Sequence, residues 1–241
     1  MRTVRSAALA VLIAALLLVV ILAAVAGLRT KPEDLPWSPL HLSQPVGLFT
    51  GRKIVALHDK AAKCEALLTE AGVRFTPAPS IKDGACGYDD GLRFAAGGAR
   101  RITLSPSAPV MSCPVAAGLA MWEWDIVQPA AQRYLGAPVV AIEQLGTYNC
   151  RPIRGSTRTL SEHASADAID VSAFRLADGT RITITDDWRG DGPRATFLHT
   201  VRNGACKLFA TVLSPEYNAL HHNHLHLDQA ARGAVGWRAC R

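Results

Sequence analysis

Several things are missing from this sequence, and each absence narrows the reading. No CxxC pair occurs among its six cysteines, which removes a cysteine zinc knuckle. There is no internal repeat, so a solenoid or propeller is excluded. There is no recognised nucleic-acid motif and no dense Lys/Arg stripe. The formal net charge of +6 therefore points to an acidic polymer or an anionic surface, with no nucleic acid as partner. Strand and helix signals do not alternate in regular βαβ units, which excludes a doubly wound parallel sheet.

Long apolar runs are limited to one. Ala7 to Leu28 is unbroken over about 22 residues, enough for a helix to cross a bilayer. Arg2 and Arg5 stand on one side, Arg29 and Lys31 on the other, so positive-inside counting does not fix the orientation. We expect residues 1–28 to be an uncleaved transmembrane signal-anchor; cleavage after Ala24-Val25-Ala26 is the alternative. Residues 29–50 hold Pro32, Pro36, Pro39 and Pro45 without a period and read as a linker, docking late through Trp37. Residues 51–241 are long enough for one domain with its own core.

All six cysteines (Cys64, Cys86, Cys113, Cys150, Cys206 and Cys240) follow the apolar run. Their even number suits disulfides in an oxidising compartment, and six cysteines allow fifteen pairings among which sequence alone does not choose. Both features put the domain outside the cytoplasm.

Residues 57–72 repeat Leu57, Ala61, Cys64, Leu67 and Leu68 at helical spacing, with Gly72 as the stop. Pro77 to Gly91 is turn-rich, and Ile102 to Leu104 is a short strand candidate. Pro114 to Leu135 is the strongest soluble helix, with Pro129 placed to kink it. Val139–Leu145, Ala168–Phe174 and Arg181–Thr185 read as strands, and Arg194–Phe209 as a helix with Phe197, Leu198 and Val201 on one face. The class is α+β: a small, mostly antiparallel sheet flanked by helices.

Four of the eight histidines lie in His221-His222-Asn223-His224-Leu225-His226. Leu225 and Leu227 alternate with His224, His226 and Asp228, a strand pattern that points the two histidines one way. His163 lies upstream in a loop, and Asp170 opens the Ala168–Phe174 strand. The small residues Ala164, Ser165, Ala166 and Ala168 let that loop fold back, so His163 and Asp170 can reach one ion. Each of these residues alone reads as an ordinary surface or core side chain, as do His41, His58 and His199. Together they supply two imidazoles and a carboxylate, the ligand types of a zinc site with one position open.

Ser161-x-His163-x6-Asp170, with Ala168 two before the aspartate, is similar to the SxHxxGxAxD motif of the zinc peptidases that cleave D-alanyl peptides. His224-Leu225-His226 resembles their C-terminal HxH. That group includes D-alanyl-D-alanine carboxypeptidases, the murein endopeptidase and the Hedgehog signalling domain. More closely, Cys64 to Asp228 resembles the bacterial extensin-like C-terminal domain family. The marks are Tyr148-Asn149-Cys150-Arg151, Ser161-Glu162-His163-Ala164, Ala168-Ile169-Asp170 and Asn218-x2-His221-x2-His224-Leu225-His226-Leu227-Asp228.

The resemblance implies a Hedgehog/DD-peptidase-like fold with Zn2+ held by His163, Asp170 and His226. It makes His224 a neighbour of the water or substrate and sets His221 where the dipeptidases carry a glutamate base. Strand periodicity alone would instead align His222; the family spacing favours His221, with a turn near Asn223. Arg151 resembles the arginine those enzymes use near the substrate carbonyl or carboxylate, with Arg154 as rival. The chain departs from the pattern at Ala166, where the peptidases prefer glycine, and has no glutamate just before the HxH. The expected function is a zinc-dependent hydrolase acting on peptidoglycan peptide bonds, anchored in the inner membrane by a single span with its C-terminal domain in the periplasm. The alternative is a non-catalytic zinc-containing wall-binding module. The oligomeric state is left open.

Overall fold

A computed structural model of the chain describes residues 2–29, 31–107, 109–233 and 238–241. Thr30, in the expected linker, lies outside the described residues. Helix α1 spans Arg2–Arg29. Its stretch Leu9–Gly27 is apolar throughout, and none of it is buried against protein. At about 1.5 Å per residue those 19 residues cover roughly 28 Å, close to the hydrocarbon thickness of a bilayer. The helix is thus long and apolar enough to be a membrane span or a signal sequence.

The segment after α1 joins the folded domain sooner than its composition suggests. Leu40 and Leu42 belong to the main core, whereas Trp37 is 76% exposed. The expected docking through Trp37 is therefore replaced by docking through two leucines, which share one buried cluster with residues of α2 (Thr50–Val55) and α3 (Ala61–Glu70). On α3, Cys64, Leu67 and Leu68 form the buried face, as the helical spacing requires. Gly72, at φ 73°, turns the chain out of the helix into β1 (Val73–Pro77).

The turn-rich stretch holds a short hairpin, β2 (Ile81–Asp83) with β3 (Cys86–Tyr88), before β4 (Gly91–Gly98), β5 (Thr103–Ser105) and β6 (Met111–Ser112). Strands β1, β4 and β6 form a small antiparallel sheet. Ser112 then caps α4 (Cys113–Trp122), its Oγ accepting from Val115 N, and Pro114 sits in the first turn. Every residue of α4 is buried, so this is the central helix of the domain. A π-helical turn, Glu123–Val127, separates it from α5 (Gln128–Leu135). The expected break therefore falls one turn before Pro129, where buried Glu123 accepts from the N–H groups of Arg101 and Ile102 and pairs with Arg100.

The main sheet adds β7 (Val139–Gly146), β8 (Ala168–Leu176), β9 (Arg181–Thr183), β10 (Thr211–Leu213), β11 (Leu225–Asp228) and β12 (Ala239–Cys240). Between β9 and β10 lie a short helix α6 (Ile184–Asp187) and α7 (Pro193–Ala205). The order is β12-β10-β11-β8-β7-β5, with β9 also on β8. The class is α+β, as expected. The sheet is larger than anticipated and mixed, because β5 runs parallel to β7 and β12 parallel to β10. Its inner face packs Phe174 against Trp122 of α4 and Phe197 of α7, with ring centroids 5.8 and 5.1 Å apart.

Three disulfides pair all the cysteines: Cys64–Cys113, Cys86–Cys150 and Cys206–Cys240. The first joins α3 to the start of α4, and the third joins the end of α7 to β12. The second ties the β2–β3 hairpin to the loop after β7. They close 49, 64 and 34 residues of sequence. In the chain-entropy account such loops contribute on the order of 4 kcal/mol each.

Candidate metal centre

Two adjacent strands supply two of the three expected ligands. In the β8–β11 register His226 lies directly opposite Asp170, while Ile169, Val171, Leu225 and Leu227 alternate with them and are fully buried. The period-two pattern therefore sends the apolar side chains into the core and the polar pair to the opposite face. Gly146 of β7 faces Asp170 from the other side and adds no side chain there.

His163 comes from a 3-10 turn, Glu162–Ser165, opened by Ser161, whose Oγ accepts from His163 N. Ala166 ends the turn at φ 58°, in the left-handed region, and is fully buried. This gives the glycine preference at that position a backbone cause: a residue with a Cβ costs about 1 kcal/mol there. The turn is fixed from outside. The His163 carbonyl accepts from Asn149 N, the Arg151 carbonyl from Ser161 N, and the Ala166 carbonyl from Ser112 N. Asp167, next in line, accepts from Ser112 Oγ at 2.5 Å and pairs with His58 Nε2 at 3.3 Å.

The three side chains converge. His163 Nε2 lies 3.2 Å from His226 Nδ1 and 3.2 Å from Asp170 Oδ2; His226 Nδ1 lies 2.9 Å from Asp170 Oδ1. Zinc bound tetrahedrally at about 2.0–2.1 Å separates its ligand atoms by about 3.3 Å, so the two imidazole nitrogens are spaced as in such a site, with one oxygen of Asp170 turned to each of them. The group can hold a metal ion.

The hydrogen-bond chemistry points the same way. A carbonyl only accepts, so the 3.0 Å contact between His163 Nδ1 and the Thr147 carbonyl fixes the proton on Nδ1 and leaves Nε2 as a lone pair. His226 Nε2 donates to Asp228 Oδ2 at 3.1 Å, so a neutral His226 carries its lone pair on Nδ1. The His163 lone pair, His226 Nδ1 and a carboxylate thus face one point, an arrangement that favours positive charge between them. In the metal-free protein a proton supplies it: burial opposes the imidazolium, but Asp170 and Asp228 push His226 up to about 9. Burial would likewise raise the Asp170 carboxyl, yet His163 and His226 hold it well below the usual carboxylate range.

Around this triangle stand two more histidines. His224 lies one residue before β11, with Nε2 3.5 Å from Asp170 Oδ1 and Nδ1 donating to Asn223 Oδ1 at 2.9 Å. His221 ends a 3-10 turn, Ala219–His221, and donates from Nδ1 to Asn218 Oδ1 at 2.8 Å. Its ring centroid is 5.1 Å from that of His224 and 6.0 Å from that of His226. A turn at His222-Asn223 brings His221 to the site and leaves His222 exposed. Burial lowers both His221 and His224, the former to about 4 with help from the neighbouring histidines. Arg151 is exposed on the loop after β7, and its charge also depresses His221, which puts it within electrostatic reach of the site. Arg154 is exposed on the same loop.

Sequence reasoning gave no role in the site to Asp228, Thr147 or Asn218, and to Asn223 only that of a turn. Asp228 had a signal, since it continues the His224/His226 alternation. The Thr147 carbonyl had none, because backbone acceptors carry no side-chain signature.

An α+β domain with a two-histidine, one-aspartate group able to hold a metal is thus defined by its fold and site. Residues 62–241 match the family described as extensin-like protein C-terminus, and the chain belongs to that family. No curated protein and no solved structure matches the chain.

Proposed function

We propose that His163, Asp170 and His226 bind Zn2+ and that the domain hydrolyses peptide bonds of peptidoglycan, at D-alanyl or cross-link positions. The observation that carries this reading is the convergence of two imidazole nitrogens and a carboxylate on one point, beside two neutral histidines and a nearby arginine. Thr147 and Asp228 act as outer partners that hold the two ligand rings and set their tautomers. A zinc ion there would supply a Lewis acid for the scissile carbonyl and a water molecule of lowered pKa.

The chain's own groups do the rest. His224, whose Nε2 carries the lone pair, accepts a proton beside the reacting centre; His221 relays it. Arg151 donates to the developing oxyanion or to a substrate carboxylate. In this reading α1 keeps the domain at the inner membrane and on its periplasmic side, next to its polymeric substrate.

The depression of His221 to about 4 favours a second reading, in which the zinc is retained and the domain binds the wall without cleaving it. A base that weak at neutral pH is a poor substitute for a glutamate. Metal content and muropeptide release by the full chain in neutral detergent separate the two. Stoichiometric zinc with product release supports the hydrolase. Stoichiometric zinc, retention on sacculi and no cleavage support the binding module. Loss of zinc binding from the folded protein overturns both.

A further inference from the structure

Away from the metal centre, Arg52 of α2, Arg232 and Arg238 line one cavity of about 350 Å³. Its walls are small and apolar, among them Val55, Ala56 and Ala210. No carboxylate lines it among the described residues.

Arg238 is half-buried and satisfies its geometry only with neutral acceptors. Nε and Nη2 donate to the Phe209 carbonyl and Nη1 to that of Lys207. Its guanidinium lies directly on Gly51: a Cβ there would stand 2.1 Å from Nη1, so the glycine makes room for the charge. Arg232 donates to the Ala210 carbonyl and to Thr211 Oγ1, and has the Glu162 carboxylate within electrostatic reach. Arg52 and Arg238 have no such partner; neither makes an ion pair among the described residues. Burial and the like charge of Arg52 both lower Arg238, to about 10. Two guanidinium groups beside apolar walls, neither with a carboxylate partner among the described residues, set up a site where an anion gains from reduced screening on the half-buried Arg238 side.

We propose that this cavity binds a phosphoryl group carried on an apolar body, gripped by Arg52 and Arg238 with Arg232 alongside. Guanidinium forks match the oxygens of a phosphoryl group two at a time, and the alanine and valine walls suit the body that carries it. The group can come from a phospholipid headgroup or from a soluble phosphate ester. The inference stands apart from the zinc reading and does not need it.

The test uses the full chain in neutral detergent, titrated calorimetrically with inorganic phosphate and separately with short-chain phosphatidylglycerol. Saturable binding is expected, weakened about tenfold by Arg52→Gln through loss of one charge-assisted contact, and unchanged by the surface variant Arg133→Gln. Tighter binding of phosphatidylglycerol than of phosphate identifies the headgroup source; equal binding identifies the soluble one. His163→Ala, which breaks the metal triangle, leaves the binding in place. Arg238→Gln also removes bonds to two backbone carbonyls, so the exposed Arg52 carries the test if that variant does not fold. Absence of saturable binding for both probes, or binding that Arg52→Gln leaves intact, overturns the proposal.

Discussion

Asp170 and His226 face each other across the β8–β11 register, with Oδ1 2.9 Å from Nδ1. A cross-strand pair on two well-buried strands is held by the whole sheet. Asp170→Ala or His163→Ala should therefore leave the fold intact and abolish stoichiometric metal binding. Metal analysis of the purified variants beside their circular dichroism checks this; retained metal in either would remove the ligand assignment.

Asp228 fixes the His226 ring without entering the triangle. Asp228→Asn keeps an acceptor oxygen but loses the charge that raises ligand basicity. A drop in metal affinity of about 10–100-fold is expected, the usual cost of losing an outer partner. Competition with a chelator of known affinity measures it, and an unchanged constant would make Asp228 a bystander.

In the proposed site, metal and proton compete for His226. With its pKa at about 9 in the metal-free protein, the ring is protonated at pH 7 and must lose that proton to ligate. Binding at pH 7 should release about one proton, and apparent affinity should climb as pH rises towards 9. Calorimetry in buffers of different ionisation enthalpy reads the proton directly. A buffer-independent heat would show that His226 holds no proton for the metal to displace.

His58 gives a separate pH signature. Its hydrogen bond to Asp167 raises it to about 9, against burial. A group raised on folding adds stability that is complete below its unfolded value of about 6.5 and is lost as pH rises through about 9. The melting temperature should fall between those limits, and His58→Gln should flatten that fall relative to wild type. Equal slopes would show that the Asp167 pair contributes nothing.

Leu40 and Leu42 belong to the domain. Leu42→Ala should cost roughly 2–4 kcal/mol by opening a cavity in the core. Trp37→Ala, on an exposed side chain, should stay within about 0.5 kcal/mol. Urea titration of both variants in the same detergent decides the matter; a silent Leu42→Ala would return the segment to the status of a free linker.

How much of this was readable beforehand depends on periodicity. Strands β7, β8 and β11, helices α3 and α7, and the shared face of Asp170 and His226 follow from side-chain patterns of period 2 or 3.6; the addition of His163, from a turn without a period, came from the family resemblance. Three things had no such pattern. The docking of Leu40 and Leu42 depends on tertiary packing that a proline-rich stretch does not advertise. The π-helical turn at Glu123 goes with a buried carboxylate whose partners, Arg100 to Ile102, come from a preceding loop. The arginine cavity joins residues from α2, the segment after β11 and the entry to β12. Among the three, only Arg232 and Arg238 are close in sequence. The choice of His221 over His222 needed a turn at Asn223, which strand periodicity alone would have denied.

The segment between α1 and Leu40 is itself tied to the domain: Pro32–Asp34 form a 3-10 turn, Asp34 Oδ1 accepts from Leu48 N and Lys53 Nζ donates to Ser38 Oγ, each at 2.8 Å. Even with those contacts released, the roughly ten residues before Leu40, extended at about 3.5 Å each, would reach only roughly 35 Å. If α1 stays in the bilayer, the domain is a leashed particle that samples a thin layer above the lipid and nothing beyond it. Within that layer its local concentration toward any fixed site is high; past the leash it is zero. Lengthening the leash by a flexible insert after Pro36 would move that horizon outward without touching a single contact in the fold.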